Sequence, residues 1–351
     1  MKEATVRDVD ESFYKLNSDT TGFYRTNYPP ERLSKLGRNH KDLSIQDNIG
    51  LVGDAAALAI AGNSTSAGLL SLCENYHNEN NYLVWQQVLT SLGTIRSIFS
   101  TDEVVSTGLK KFVLKLVTPA TEKIGWSFKP DEGLLTGQLR ALLILSAGGV
   151  GHEQTIKKAK AIFSEYSSGN KDAIHPSLRN AVFRLAIENG GKDAYEIVKN
   201  EYLNTTSIDG KEITLGAMGR VQTTDLVNDF LDFQFSDKVA VQDIHTGAFS
   251  LAINGKARDA FWRYVKSNWD TVYNKLSANS VVLDRYLKNT LNRFSSHEME
   301  RDITMFFEGK DTKGYDKGLS QISDTVKANA DYRQRDGKLV LKWLQAHGYS
   351  S

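Results

Sequence analysis

Leu109-Lys110-Lys111-Phe112-Val113-Leu114-Lys115-Leu116-Val117 repeats its apolar residues with the period of an α-helix. Leu109, Phe112, Val113, Leu116 and Val117 recur at i, i+3, i+4, i+7 and i+8 with lysines between them, which draws one apolar stripe along a helix. Working outward, Leu135, Leu139, Leu142 and Leu143 draw a second stripe. Phe261, Tyr264, Val265, Trp269, Val272 and Tyr273 draw a third, read as one helix wide enough to touch two neighbours. Ser44 before Asp47 and Ser100 before Glu103 are helix-start signals. Gly148-Gly149 and Gly190-Gly191 are stops, because glycine enters the left-handed conformation at little steric cost. After Pro30 only Pro119, Pro130 and Pro176 remain, each read as a helix boundary. Such segments predict about fifteen or more helices of roughly 10–20 residues, paired at a spacing of roughly 35–45 residues without an exact repeat. The fold class is therefore all-α: a bowl-shaped, HEAT- or armadillo-like superhelix over residues 31–351, with a concave face suited to a ligand.

Residues 1–30 read differently. Ser12-Phe13-Tyr14-Lys15-Leu16-Asn17 and Gly22-Phe23-Tyr24-Arg25-Thr26-Asn27-Tyr28 are short and aromatic, separated by the turn cluster Ser18-Asp19-Thr20-Thr21. That pattern predicts a short β segment, as a hairpin or two strand edges. A lone hairpin is marginal in water, so it should pack on something else.

Composition narrows the function. Lys and Arg number 43 and Asp and Glu 42 in 351 residues, a net charge of +1. A nucleic-acid or membrane-surface protein depends on a basic field that this balance does not provide, so neither partner is expected; a local patch of one sign inside a cavity is still allowed. Cys73 is the single cysteine, which precludes an intrachain disulfide and is read as a small core residue. The opening MKEATVRDVDESF lacks the apolar stretch of a signal peptide, and no apolar run approaches the ~18 residues of a membrane span, so a cytoplasmic location is expected.

The search for chemistry finds no self-contained catalytic constellation. Zinc peptidases of the His-Glu-x-x-His type need two histidines one helical turn apart. His152-Glu153 is followed by Ile156 where the second ligand belongs, and His297-Glu298 by Arg301. Gly148-Gly149-Val150-Gly151 lacks the strand-to-helix context of a dinucleotide fingerprint and reads as a turn. No catalytic residue and no metal ligand is expected in this chain.

Several segments do resemble a known family. Phe13-Tyr14-Lys15-Leu16-Asn17 with Gly22-Phe23-Tyr24-Arg25-Thr26-Asn27-Tyr28 looks like the KxN…GFYRVNY signature of the M1 family of zinc aminopeptidases. Leu43-Ser44-Ile45-Gln46-Asp47-Asn48 and Leu51-Val52-Gly53-Asp54-Ala55-Ala56-Ala57-Leu58-Ala59 resemble its LSxxDRxxLxxDAFALA helix, with Asn48 for the usual arginine and Ala56 for the usual aromatic. Ile124-Gly125-Trp126 with Leu139-Arg140, then Val241-Gln242-Asp243, Asn254-Gly255, Ala260-Phe261-Trp262, Asn268-Trp269 and Lys342-Trp343-Leu344, continue the match in order to the last helix.

The resemblance, nearest to the puromycin-sensitive and alanine/arginine aminopeptidase type, implies a division at residue 30. Residues 1–30 would end a preceding β-sandwich domain, and residues 31–351 would form the helical C-terminal capping domain. It implies that the chain is inactive alone, that its partners are its own catalytic domain and peptide substrates, and that zinc belongs to that other domain. The helical domain would cap the active site, enclose the peptide cavity and shape substrate access. Arg220, in Ala217-Met218-Gly219-Arg220, matches an arginine that faces the cavity in antigen-trimming relatives and meets a peptide's C-terminal carboxylate. The tyrosine-lysine pair that assists there would fall near Leu89-Thr90 and is missing, which favours general peptide clearance over length-dependent trimming. Arg140 and Arg179 are weaker candidates for the same concave face. The rival reading is a free-standing helical-repeat scaffold that binds partner proteins on its concave face.

Overall fold

The computed structural model describes residues 13–351, so the first part of the expected β segment lies outside the described residues. Sixteen α-helices follow one another from Pro30 onward. Helix α1 (Pro30–Arg38) starts on a proline, whose fixed φ suits the first helical position. Helix α2 (Ile45–Ile60) is capped by Ser44, which accepts from the Asp47 amide as the sequence predicts. Helices α3 (Ser66–Cys73) and α4 (Tyr82–Ile98) are capped by Thr65 and Asn81 in the same way. The first stripe lies in α5 (Glu103–Ile124), with Leu109, Phe112, Val113, Leu116 and Val117 all buried. Its cap is Asp102 rather than Ser100. Pro119 lies inside α5 instead of bounding it. Both Pro119 and Lys115, whose carbonyl loses its donor there, are exposed, so the lost bond falls on the solvent side of the helix.

Helices α6 (Leu134–Gly149) and α7 (Glu153–Ser167) precede the long α8 (Arg179–Asn204). The Gly148-Gly149 stop holds at the end of α6, whereas Gly190-Gly191 bends α8 instead of ending it, with Gly191 at φ 61°. Then come α9 (Ile208–Met218), α10 (Thr224–Phe235), α11 (Ile244–Ile253), α12 (Arg258–Ser267) and α13 (Trp269–Leu276). The third stripe is thus two helices, parted at Asn268, whose backbone leaves the helical region (φ −120°, ψ 29°) while its amide and its side chain both donate to the Tyr264 carbonyl. Helices α14 (Ser280–Leu291), α15 (His297–Phe307) and α16 (Asp316–Ala346) complete the order.

Packing makes this a superhelix closed on itself. Helices α2, α4, α6, α8, α9, α11, α14 and α16 touch in succession as an inner wall, and α16 then returns onto α2, α3, α4 and α5. With 31 residues α16 spans roughly 45 Å, long enough to bridge two apolar cores. Its Ile322 and Val326 belong to the larger core, and its Tyr332, Val340, Trp343 and Leu344 to the smaller one. Polar pins lock the return. Asp336, buried in α16, accepts from both the amide and hydroxyl of Ser66, and Ser295 and Arg258 take the last carbonyls of α4 at Ile98 and Ser97. Helix-end carbonyls need such partners when buried.

Residues 13–29 contain no strand, only a 3₁₀ turn at Ser18–Thr20, which corrects the expected hairpin. Side chains of α2 take the place of a partner strand. Asp47 pairs with Lys15 and accepts the Asp19 amide, while Asp54 accepts the Thr26 amide at 2.9 Å and pairs with Arg25. Tyr28 closes the loop by accepting the Leu16 amide. Leu16, Phe23 and Tyr24 stay exposed on this segment, with nothing among the described residues covering Phe23.

Candidate functional site

Helices α4, α5 and α8 and the turn after α9 carry a group of cations that share one carboxylate. Arg220 sits just after α9, and its backbone is pinned on both sides by one side chain: Asn254 Nδ2 donates to the Val221 carbonyl at 2.7 Å and to the Gly219 carbonyl at 3.4 Å. Gly219 allows this close approach of α9 to α11, since a Cβ there would lie 2.5 Å from Ser250 Cβ. Ser250 in turn donates to the Gly216 carbonyl. The Arg220 guanidinium reaches Glu188 on α8, with Nε and Nη2 converging on the single oxygen Oε1.

Arg184 stands one turn before Glu188 on the same face of α8. Its Nε is buried without a hydrogen-bond partner. Burial, and then repulsion from Arg220, push its pKa down to about 10 against the pull of Glu188, so it stays charged at neutral pH. Arg96 of α4 faces the same two groups: burial and Arg220 lower its pKa while Glu188 raises it. Lys110 of α5 is lowered by burial, by Arg96 and by Lys256, again with Glu188 opposing. Four cations, Arg96, Lys110, Arg184 and Arg220, therefore act on one carboxylate. Guanidinium groups at neutral pH bind anions and transfer no proton, so the arrangement is fit for holding an anion rather than for bond-making. Among the described residues no three His, Cys, Asp or Glu side chains gather as a metal would need.

A polar cavity of about 280 Å³ opens at the seam where α4 meets α11, α14 and α16. Thr94, Ser97, Asn292 and Asn329 line it, and Arg293 lies over the Phe249 ring at 5.2 Å.

The three arginines singled out by sequence fare differently. Arg220 is in the cluster. Arg140 is 3% exposed and internally saturated: it binds both oxygens of Glu132, donates to the Gly125 carbonyl at 3.2 Å and stacks over Phe128. It closes the loop between α5 and α6 and offers nothing to a ligand. Arg179 opens α8 five residues before Arg184, about 140° around the axis from it. Its charge acts on Glu201, the partner of Lys171, away from the cluster. Arg96, Lys110, Arg184 and Glu188 were not singled out. The signal for two of them was present: in Phe183-Arg184-Leu185-Ala186-Ile187-Glu188 an Arg and a Glu at i, i+4 interrupt an apolar run.

The chain is 32% identical over 350 residues to the alanine/arginine aminopeptidase of Saccharomyces cerevisiae, covering 99% of this chain and 41% of that protein. It is 31% identical to aminopeptidase 2 of Candida albicans, across 97% of this chain and 37% of the relative. To aminopeptidase M1-D of Oryza sativa subsp. japonica it is 32% identical, across 90% and 36%. The chain thus spans about two fifths of the length of these relatives. Residues 13–328 match the ERAP1-like C-terminal domain, and the chain belongs to that family, the C-terminal helical part of M1 aminopeptidases.

Proposed function

We propose that this chain is the non-catalytic C-terminal domain of a cytoplasmic zinc aminopeptidase that removes N-terminal residues from peptides. It caps the catalytic domain and encloses the peptide cavity, and its cation cluster holds the C-terminal carboxylate of the substrate. The observation that carries this reading is the cluster itself: Arg220 paired with Glu188, and Arg184, Arg96 and Lys110 each acted on by that same glutamate. A peptide carboxylate supplies the anion that such an excess of positive charge favours, and a guanidinium fork matches its geometry. The exposed Leu16, Phe23 and Tyr24 favour a capping domain over a free-standing scaffold, because an adjoining domain would cover them. Zinc and the groups that activate its bound water belong to the catalytic domain; this chain's residues bind and orient the far end of the peptide.

The test is a matched pair of peptides, one with a free C-terminal carboxylate and one amidated, titrated calorimetrically against the chain. Tighter binding of the free acid, lost in Arg220→Ala, is expected; equal binding of the two sinks the carboxylate reading. Mixing the chain with a separately made catalytic part should alter the latter's rate on short peptides. If the two neither associate nor change each other's activity, the scaffold reading takes precedence.

A further inference from the structure

We infer that Glu188 is a built-in competitor for the carboxylate site: it occupies Arg220 when no peptide is bound, and an incoming terminal carboxylate displaces it. The inference rests on the carboxylate reading of the cluster and adds to it a residue that sets affinity. Its basis is a difference in how two guanidinium groups of this chain hold their acids. Arg140 engages Glu132 as a two-oxygen fork, with Nη1 on Oε1 and Nη2 on Oε2. Arg220 engages Glu188 with Nε and Nη2 on one oxygen, which is not the parallel two-bond geometry that makes such pairs strong. The Arg140 side chain is 3% exposed and that of Arg220 is 20% exposed, so only the second can be approached from outside.

Glu188 also has somewhere to go. Arg184 lies one turn away on α8, with its buried Nε lacking a hydrogen-bond partner. When a peptide carboxylate takes the Arg220 fork, Glu188 turns to Arg184, and the cluster then holds two anions among four cations. Without a peptide, Glu188 limits the repulsion among those cations that would otherwise oppose folding. One glutamate thereby stabilises the empty site and weakens adventitious anion binding, because any ligand must first outcompete it.

The experiment is Glu188→Gln, which keeps the shape and removes the charge. The chain and the variant are titrated with the free-acid and amidated peptides. Free-acid affinity should rise about tenfold, equivalent to ~1.4 kcal/mol, with the amidated peptide unchanged. If the wild-type chain prefers the acid but Glu188→Gln binds it equally or more weakly, Glu188 is a supporting residue and the inference is overturned. If the wild-type chain shows no preference for the acid, the carboxylate reading fails and this inference with it. Because the variant leaves cations unmatched, thermal unfolding with and without peptide provides a second reading. The free-acid peptide should raise the midpoint of Glu188→Gln more than that of the wild-type chain, and an equal or smaller rise overturns the inference. Glu188→Asp, one methylene shorter and still charged, should shift acid affinity in the same direction by less.

Discussion

Arg140 and Arg220 are both guanidinium groups beside a glutamate, yet their surroundings differ in kind. Arg140 has a carboxylate, a carbonyl and an aromatic face to itself, and its loop folds around it. Arg220 shares Glu188 with Arg96, Lys110 and Arg184. The contrast teaches that pairing alone does not separate a structural arginine from a binding one; the local balance of charge and donors does. On the proposed function, the saturated pair should resist removal and ignore ligands, whereas the shared cluster should tolerate loss of a cation and respond to anions.

Four measurements separate the two arginines. The largest effect belongs to Arg140→Ala, which strands Glu132 beneath its loop. Its unfolding midpoint should drop by roughly 3–5 °C with the acid-over-amide peptide preference intact. Loss of that preference would place Arg140 in the site after all. Next is Asn254→Ala, which frees the carbonyls flanking Arg220 and should cost about 1–3 kcal/mol in urea unfolding while weakening acid preference. Unchanged preference would show that Arg220 needs no backbone support. Arg220→Ala should lower free-acid affinity about tenfold yet move stability by less than ~1 kcal/mol, since it also removes repulsion. A large loss of stability would put Arg220 in the same class as Arg140.

The smallest effect is the dependence on pH. Hydrogen bonds from Arg140 hold the Glu132 carboxyl below its ordinary range. Burial pushes Asp229 and Asp302 up, but hydrogen bonds from Lys199 and Tyr195 to the first, and from Lys266 and Trp262 to the second, outweigh it and leave both lowered. A carboxyl depressed in the folded state stabilises above its unfolded pKa and loses that contribution as pH falls through the folded value. The midpoint should therefore be level from about pH 5 to 8 and fall below about pH 4. In Arg140→Ala the acid limb should be shallower, because Glu132 no longer contributes; an identical limb would mean that the pair has no linkage to folding.

Much of the fold was legible because helices are local. The stripe in α5, the Ser44 cap and the Gly148-Gly149 stop needed only neighbours within a few residues. Failures arose where a distant group decided a local question. The aromatic residues of 13–28 spell strands, but Asp47 and Asp54 of α2 take up their backbone and side-chain donors first. Lys15, Asp54, Arg140 and Asn254, all within the segments that carry the family resemblance, are each a polar pin. Arg179 was separable from Arg184 by helical angle alone, had the start of α8 been known.

By itself the sequence determined an all-α superhelix, its stripes and most of its stops, because a period of 3.6 and the capping preferences act within one or two turns. The family likeness too was carried by segments in linear order. Only the tertiary structure decided which arginine is locked in a saturated pair and which shares its acid with other cations. Electrostatic neighbours are set by ångströms of space rather than by position in the chain: Glu188 meets Arg220 across 32 residues, and Arg258 caps Ser97 across 161. A charge becomes a site or a staple according to what the closed ring of helices brings within reach of it.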